Sequence, residues 1–217
     1  MALNYPRLDN ASGIWTMKEV TDAVKGGYWP VSGARGVFMG GSGAAYEDTI
    51  GYVTISSTGD AADFGNLVEA RGGVANGVSS FTRGFLMGGY APDAYKQDIQ
   101  YITIMTTGNA ADFGDLSAAR QLLGGASNST RGITPGHSHI NIMEYFQMAS
   151  LGDTVDFGDT SVTRGNITVV SSPTRCAGGG GHAPSVSNVI DYIEIASTGN
   201  ASDFGDLIAA TQHTGGC

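Results

Sequence analysis

Four histidines, a recurring Asp-Phe-Gly triplet and small clusters of Asn and Asp are the residues of this sequence whose chemistry needs weighing first. His137 and His139 stand two apart, which puts both on one face of a strand, and His182 follows the glycine run Gly178-Gly179-Gly180-Gly181. His213 is the fourth. No carboxylate or thiol falls at ligand spacing around any of them, so a zinc-type set lacks its remaining ligands and no metal is expected. Asp-Phe-Gly is a protein-kinase signature, but no companion kinase motif accompanies it. It recurs along the chain, which favours a structural reading: Phe packs between repeats, Asp caps a turn and Gly permits a bend. The set Asn109, Asp112 and Asp115 offers the oxygens that calcium takes, yet such side chains more commonly satisfy local backbone donors. There is no Gly-x-Ser-x-Gly elbow, no His-Glu-x-x-His and no phosphate loop ending in Lys-Ser or Lys-Thr. No catalytic, cofactor-binding or metal residue is therefore assigned, no cofactor is expected, and the chain is read as a non-enzyme.

The composition excludes further classes. Only 14% of the 217 residues are charged, and the net charge is −9. The eleven basic residues are spread singly, whereas nucleic-acid binding needs a basic face against phosphates. The same deficit argues against anionic membrane surfaces. No run of 18 apolar residues exists, so no membrane insertion is expected, and the N-terminus lacks the basic-then-apolar pattern of a secretory leader. Cys176 and Cys217 read as two free thiols. Glycine is abundant at 34 residues, against an average near ~7%. With 41% hydrophobic residues and only six prolines, the chain is expected to fold, its glycines marking turns and close backbone approaches.

Those glycines belong to a repeat. Ser57-Thr58-Gly59-Asp60-Ala61-Ala62-Asp63-Phe64-Gly65-Asn66-Leu67 returns at 106–116 and at 197–207, with a worn copy at 150–159. Its phenylalanines, Phe64, Phe113, Phe157 and Phe204, are spaced by 49, 44 and 47 residues. A second landmark, an Arg opening an apolar strand that ends in Gly-Gly, begins at Arg35 and Arg83, with weaker versions at Arg131 and Arg175, and the four arginines are spaced by 48, 48 and 44. Two landmarks with one period define four units of about 48 residues, at 31–81, 82–129, 130–173 and 174–217.

Each unit reads as four short strands. In the second, Phe85-Leu86-Met87 stops at Gly88-Gly89, and Asp98–Met105 follows, apolar on both faces and so expected to be buried on both. Thr107-Gly108-Asn109 turns the chain into the strand at Asp112–Leu116, and Gly124-Gly125-Ala126-Ser127 supplies the last. No segment inside the repeats sustains helical periodicity without a glycine break. A four-stranded unit of this length fits a β-propeller blade. An all-β, four-bladed propeller is expected. The tail Thr211–Cys217 aligns with Arg120–Ala126, so it is expected to supply a strand that the first blade lacks and to close the ring. Pro135, in the landmark strand of the third unit, marks that unit as the irregular one. The Arg of each landmark is expected to pair with an Asp of a neighbouring blade.

Residues 1–30 stand outside the repeat. Thr16-Met17-Lys18-Glu19 reads as a capping box before a short helix, with Met17, Val20, Ala23 and Val24 as its stripe and Gly26-Gly27 as its stop. Ile14, Trp15, Tyr28 and Trp29 flank it. They serve either to fold the helix back onto the repeats or to anchor a partner, where Trp and Tyr are favoured.

The unit resembles a kelch repeat, with Gly40-Gly41 and Gly88-Gly89 ending the first strand and Tyr52, Tyr101, Tyr145 and Tyr192 in the next. Phe64, Phe113, Phe157 and Phe204 stand where kelch repeats usually carry Trp. The phrase at 197–207, Ser-Thr-Gly-Asn-Ala-x-Asp-Phe-Gly-Asp-Leu, resembles the repeats of kelch-like virion proteins of marine tailed bacteriophages, the cyanophage type. Ala11-Ser12-Gly13-Ile14-Trp15, followed by Trp29-Pro30, is similar to their leader. The resemblance implies a kelch-like propeller serving as a structural protein of the virion, in several copies. It would be a tail fibre or tail-associated adaptor acting in host attachment or assembly, joined to other virion proteins through the arm, with a host surface receptor as a further partner. A capsid-surface decoration and a kelch-type binding module outside any virion are the alternatives.

Overall fold

Glycine-bounded runs of β-branched and aromatic residues form short antiparallel strands in the computed structural model. It describes residues 16–18, 21, 35–73, 77–121, 124–137, 140–182, 184–212 and 215–216, with the backbone alone at 135–137. The first sheet has three strands, β1 (Arg35–Ser42), β2 (Tyr46–Thr54) and β3 (Ala62–Asn66). The second contains β4 (Val78–Ser79) and β5 (Arg83–Met87). After a two-stranded ribbon, β6 (Tyr90–Ala91) and β7 (Ala94–Tyr95), it continues with β8 (Asp98–Thr103) and β9 (Ala111–Asp115). The third is β10 (Ala126–Ser127), β11 (Arg131–His137), β12 (Ile140–Gln147) and β13 (Val155–Asp159). The fourth is β14 (Thr168–Ser171), β15 (Arg175–Gly179), β16 (Val189–Glu194) and β17 (Ser202–Asp206). The chain is thus all-β, and every sheet is an antiparallel meander. The small-residue strand of each unit joins the next sheet: β4 pairs with β5 and β10 with β11.

The core consists of layers between sheets. Ile50, Phe64 and Leu67 of the first sheet pack on Leu86, Ile102 and Ala110 of the second. Phe85, Met87, Ile99 and Phe113 of the second pack on Phe146 and Met148 of the third. Ile133, Met143 and Phe157 of the third pack on Cys176, Ile193 and Ile195 of the fourth. Strand alternation produces this arrangement. In β8, Ile99 turns towards the third sheet and Ile102 towards the first, so a strand apolar on both sides is covered on both sides.

Each repeat phrase folds as a β-bulge. Ile50 pairs with Gly65 and Gly51 with Asp63, which leaves Phe64 as the extra residue. The same skip occurs at Phe113, Phe157 and Phe204. A bulge frees one backbone position from its ladder and re-aims its side chain. Here the freed carbonyl serves the next sheet, as described below.

Two expectations need correction. The sheets do not close into a ring through the C-terminal strand. The first sheet keeps three strands, and Gly216 lies against Thr168 and Val170 of the fourth. Likeness to Arg120–Ala126 did not fix the tail's destination; His213, Thr214 and Cys217 lie outside the described residues. No helix stands among the elements of the described residues. Of the expected helix, Met17, Lys18 and Thr21 have helical backbone, with Thr21 Oγ1 donating to the Met17 carbonyl at 2.7 Å, and its remainder lies outside them. The irregularity expected at Pro135 is a register shift between it and His137, and it does not unpair the strand. Pro135 pairs with Met143 of β12 beyond the end of the two-residue β10, where its other side is a sheet edge. The chain divides into two units, Met1–Ala34 and Arg35–Cys217.

Gly114, at φ 154°, lies so close to the Gly152 carbonyl of the next sheet that a Cβ would collide with it, whereas Gly205, at φ 134°, faces open space. Both positions carry a backbone strain of about 1–3 kcal/mol for any other residue. Gly114→Ala should cost at least about 2 kcal/mol more than Gly205→Ala in urea unfolding, because only the first also overpacks a contact. Equal losses would show that the bulge, and not the neighbouring sheet, demands the glycine.

Candidate functional site

The repeated residues converge on the joints between sheets. Gly108 N donates to the Phe64 carbonyl at 2.7 Å, Gly152 N to that of Phe113 at 2.9 Å and Gly199 N to that of Phe157 at 2.7 Å. Ala110 N reaches the Asn66 carbonyl, Thr154 N that of Asp115 and Ala201 N that of Asp159, at 2.7–2.9 Å. The side chains of Asn109, Asp153 and Asn200 accept from the backbone N–H groups of Asn66, Asp115 and Asp159 at 2.9–3.0 Å. The side chains of Asn109, Asp153 and Asn200 are thus satisfied by the backbone of the preceding sheet. Phe64, Phe113 and Phe157, which face these joints, are 2, 3 and 2% exposed. Phe204 carries the same bulge but is 59% exposed, since among the described residues no sheet lies on that side of it.

The landmark arginines serve the same joints in another way. Each guanidinium lies over the Tyr of its own sheet, Arg35 on Tyr52, Arg83 on Tyr101, Arg131 on Tyr145 and Arg175 on Tyr192, at 4.5–4.9 Å from the ring centre. Arg35, Arg83 and Arg131 also donate to the carbonyls of Ile104, Met148 and Ile195 in the following sheet, at 2.8–3.0 Å. The expected Asp partner is therefore replaced by a backbone carbonyl: the planar fork stacked on tyrosine points its N–H groups at a strand end. Arg175, with no following sheet, pairs instead with Glu194 of its own sheet at 2.5 Å, in solvent.

A second arginine series went unread in the sequence. Arg71, Arg120 and Arg164 are almost wholly buried, and each pairs with an acid of the following sheet: Asp98 at 2.9 Å, Glu144 at 2.5 Å and Asp191 at 2.9 Å. These acids also hold backbone or hydroxyl groups of the preceding sheet. Glu144 Oε1 accepts from Ser117 N at 3.1 Å, and Asp191 accepts from the Ser161 hydroxyl. In the first joint the work is divided, since Gln100 accepts from Val68 N and donates to Asp98. Burial lowers the pKa of Arg120 and Arg164, and the facing carboxylates of Glu144 and Asp191 counter it. The signal lay in the spacing of Arg71, Arg120 and Arg164, but the acid shifts by two positions between Asp98 and Glu144, which hides the pairing.

The remaining candidates scatter. The His182 backbone exchanges two hydrogen bonds with Gly165, at 2.8 and 3.1 Å, tying the fourth sheet to the third. The side chain of His137, and His139 and His213 altogether, lie outside the described residues, as do Ile14, Trp15, Tyr28 and Trp29. Among the described residues no three His, Cys, Asp or Glu side chains converge as a metal set, and no helix is long and apolar enough to cross a membrane. Burial pushes the Cys176 thiol up to about 12, so it stays protonated in the third joint. An open, largely apolar cleft of about 520 Å³ lies on the outer face of the fourth sheet, between Val170, Ala177, Ile190, Leu207, Ile208 and Gly216. Compared with models of protein families and with curated proteins, the chain matches none.

Removing one partner of a buried pair strands the other charge, at a cost of about 3–5 kcal/mol. Glu144→Ala should lose that much in chemical denaturation, and Arg120→Met/Glu144→Leu should recover most of it; a double variant no better than the single would show that the hydrogen bond from Ser117, and not the charge, dominates. Asp98 gives the pH dependence. Burial raises its pKa, but the Arg71 and Gln100 hydrogen bonds and the Arg71 charge outweigh this and hold it below 3.8. A depressed carboxylate contributes stability that is present above the unfolded value and lost as pH falls through the folded one. Asp98→Asn should therefore flatten part of the stability loss between about pH 5 and about pH 2, a change read from paired urea titrations.

Proposed function

We propose that the chain is a non-enzymatic structural protein of a tailed-phage virion, a tail fibre or tail-associated adaptor, whose stacked sheets are blades of a kelch-like β-propeller. One observation carries the reading. The residues that recur most faithfully, the Phe of the bulge, the Gly-Asx turn and the landmark Arg, are consumed in joining one sheet to the next. A chain built so is a rigid scaffold that presents loops and surfaces. The order of the units, a landmark strand that ends in Gly-Gly in all but the third, then a Tyr strand and an aromatic strand, supports the kelch-like assignment. The repeat phrase and the leader around Ile14 and Trp15 support the virion assignment. In this reading the arm at 1–30, with Trp15, Tyr28 and Trp29, attaches the protein to other virion proteins, and the repeat body displays a surface for host attachment or assembly.

Mass spectrometry of purified particles should find the protein in several copies per particle, and its absence from them would end the virion reading. A chain lacking residues 1–30 should give an unchanged repeat body by circular dichroism and yet be missing from particles; normal incorporation would remove the arm from the attachment role.

A further inference from the structure

The two end sheets of the stack present the two halves of the joint that the chain makes three times internally. On the fourth sheet, Phe204 is 59% exposed, where Phe64, Phe113 and Phe157 are covered, and Ile208 beside it stands fully in solvent. On the first sheet, Ile55 is 67% exposed, where its equivalents Ile104, Met148 and Ile195 are 7, 2 and 0% exposed. Phe38 is 65% exposed, where its equivalent Leu86 is buried against the preceding sheet. Solvent gives no reason for apolar side chains at these places, and stacked repeats ordinarily end in polar caps. Among the described residues neither end is capped in this way.

The polar groups match as well. The fourth sheet carries the Phe204 carbonyl, the Asp206 N–H and carbonyl, and the Arg175 guanidinium already stacked on Tyr192. The first sheet carries Gly59 N, Ala61 N, the Asp60 carboxylate and the Ile55 carbonyl, at the positions of Gly108, Ala110, Asn109 and Ile104. The charged pair is the one part of the joint missing, and it is missing from both halves. Thr211 stands where Arg71, Arg120 and Arg164 stand, and Gly51 where Gln100, Glu144 and Asp191 stand. Bringing the two ends together would leave no buried arginine or acid alone. Size is complementary too. Ala177 replaces the larger Val37, Phe85 and Ile133 and helps to open the cleft of about 520 Å³, while the opposite end offers Phe38 where Leu86, Thr134 and Gly178 stand.

We infer that the outer face of the fourth sheet takes the first sheet of a second copy of this chain, head to tail, in a fourth joint built like the internal three. The Gly59 turn docks on the bulge at Phe204, Ile55 and Phe38 fill the cleft, and Arg175 leaves Glu194 for the Ile55 carbonyl of its partner. A head-to-tail contact closes into a ring of copies when its rotation allows and otherwise extends as a filament.

The experiment uses the full chain and two end variants. Sedimentation of the wild-type protein should give species at multiples of 22.3 kDa whose share rises with concentration. Phe204→Asp/Ile208→Asp spoils one half of the joint and Ile55→Asp the other, and the three residues are exposed, so both variants should keep the wild-type circular dichroism spectrum. Each alone should sediment as a monomer, and an equal mixture should give a dimer and stop there, because each partner retains one good half. A wild-type chain that remains monomeric at high concentration overturns the inference, whether its ends meet each other, are covered by its own arm or stay bare. So does self-association of either single variant, or a mixture of two folded variants that does not pair.

Discussion

The bulge at each Asp-Phe-Gly is the local constraint on which the rest of the structure depends. A two-faced sheet of three or four short strands has little stability alone, because one apolar face always meets water. Skipping Phe64, Phe113 and Phe157 in their ladders turns each ring into the next sheet and frees its carbonyl for the glycine of the following turn. Burying a Phe is worth about 1.5–3 kcal/mol, and edge-to-face pairs such as Phe113–Phe146 add about 0.5–1.5 kcal/mol. The backbone hydrogen bonds contribute less energy than this but fix the register, since a slide of one residue would separate both donors from their carbonyls.

Buried ion pairs play a different part. Desolvating Arg120 and Glu144 costs several kcal/mol, so the pair adds little net stability over apolar residues of like size. Its geometry discriminates instead. Arg71 meets Asp98, with Glu69 at 3.8 Å, and the shift from Asp98 to Glu144 and Asp191 gives the first joint a pattern unlike the others. A first sheet docked on the wrong partner would set Arg71 against an acid two positions away from that of Asp98. Stacking by aromatic rings alone, nearly identical at each joint, would not exclude such errors.

Much of this was legible in the sequence. The period, the strand order and the interleaved packing of Phe64, Phe113 and Phe157 follow from a phrase repeated with little change, because one local geometry recurs and demands the same residues. What escaped is what repetition does not encode. Arg71, Arg120 and Arg164 are as regular as the landmark arginines, but their partners move along the strand, so the pairing exists only in three dimensions. The destination of the tail escaped for a related reason. Likeness between Thr211–Cys217 and Arg120–Ala126 does not name the sheet that receives the tail, and Gly216 lies against Thr168 and Val170 of the fourth. Charge alone points the landmark arginines to acidic partners, whereas stacking on Tyr52, Tyr101 and Tyr145 aims them at carbonyls.

The use of the repeated positions also limits where recognition can reside. Side chains locked in joints cannot change without loosening the stack, so they are poor material for meeting a variable partner. The loops after the Gly-Gly strands are freer. The second unit inserts the ribbon of β6 and β7 there, where Tyr90 packs edge to face on Tyr46 of the first unit and on Tyr95, and the third unit runs almost directly from β11 into β12. This is where units of one repeat differ most in length and surface while their joints stay alike. A scaffold that keeps its joints constant and varies these loops can alter what it presents without altering how it stands.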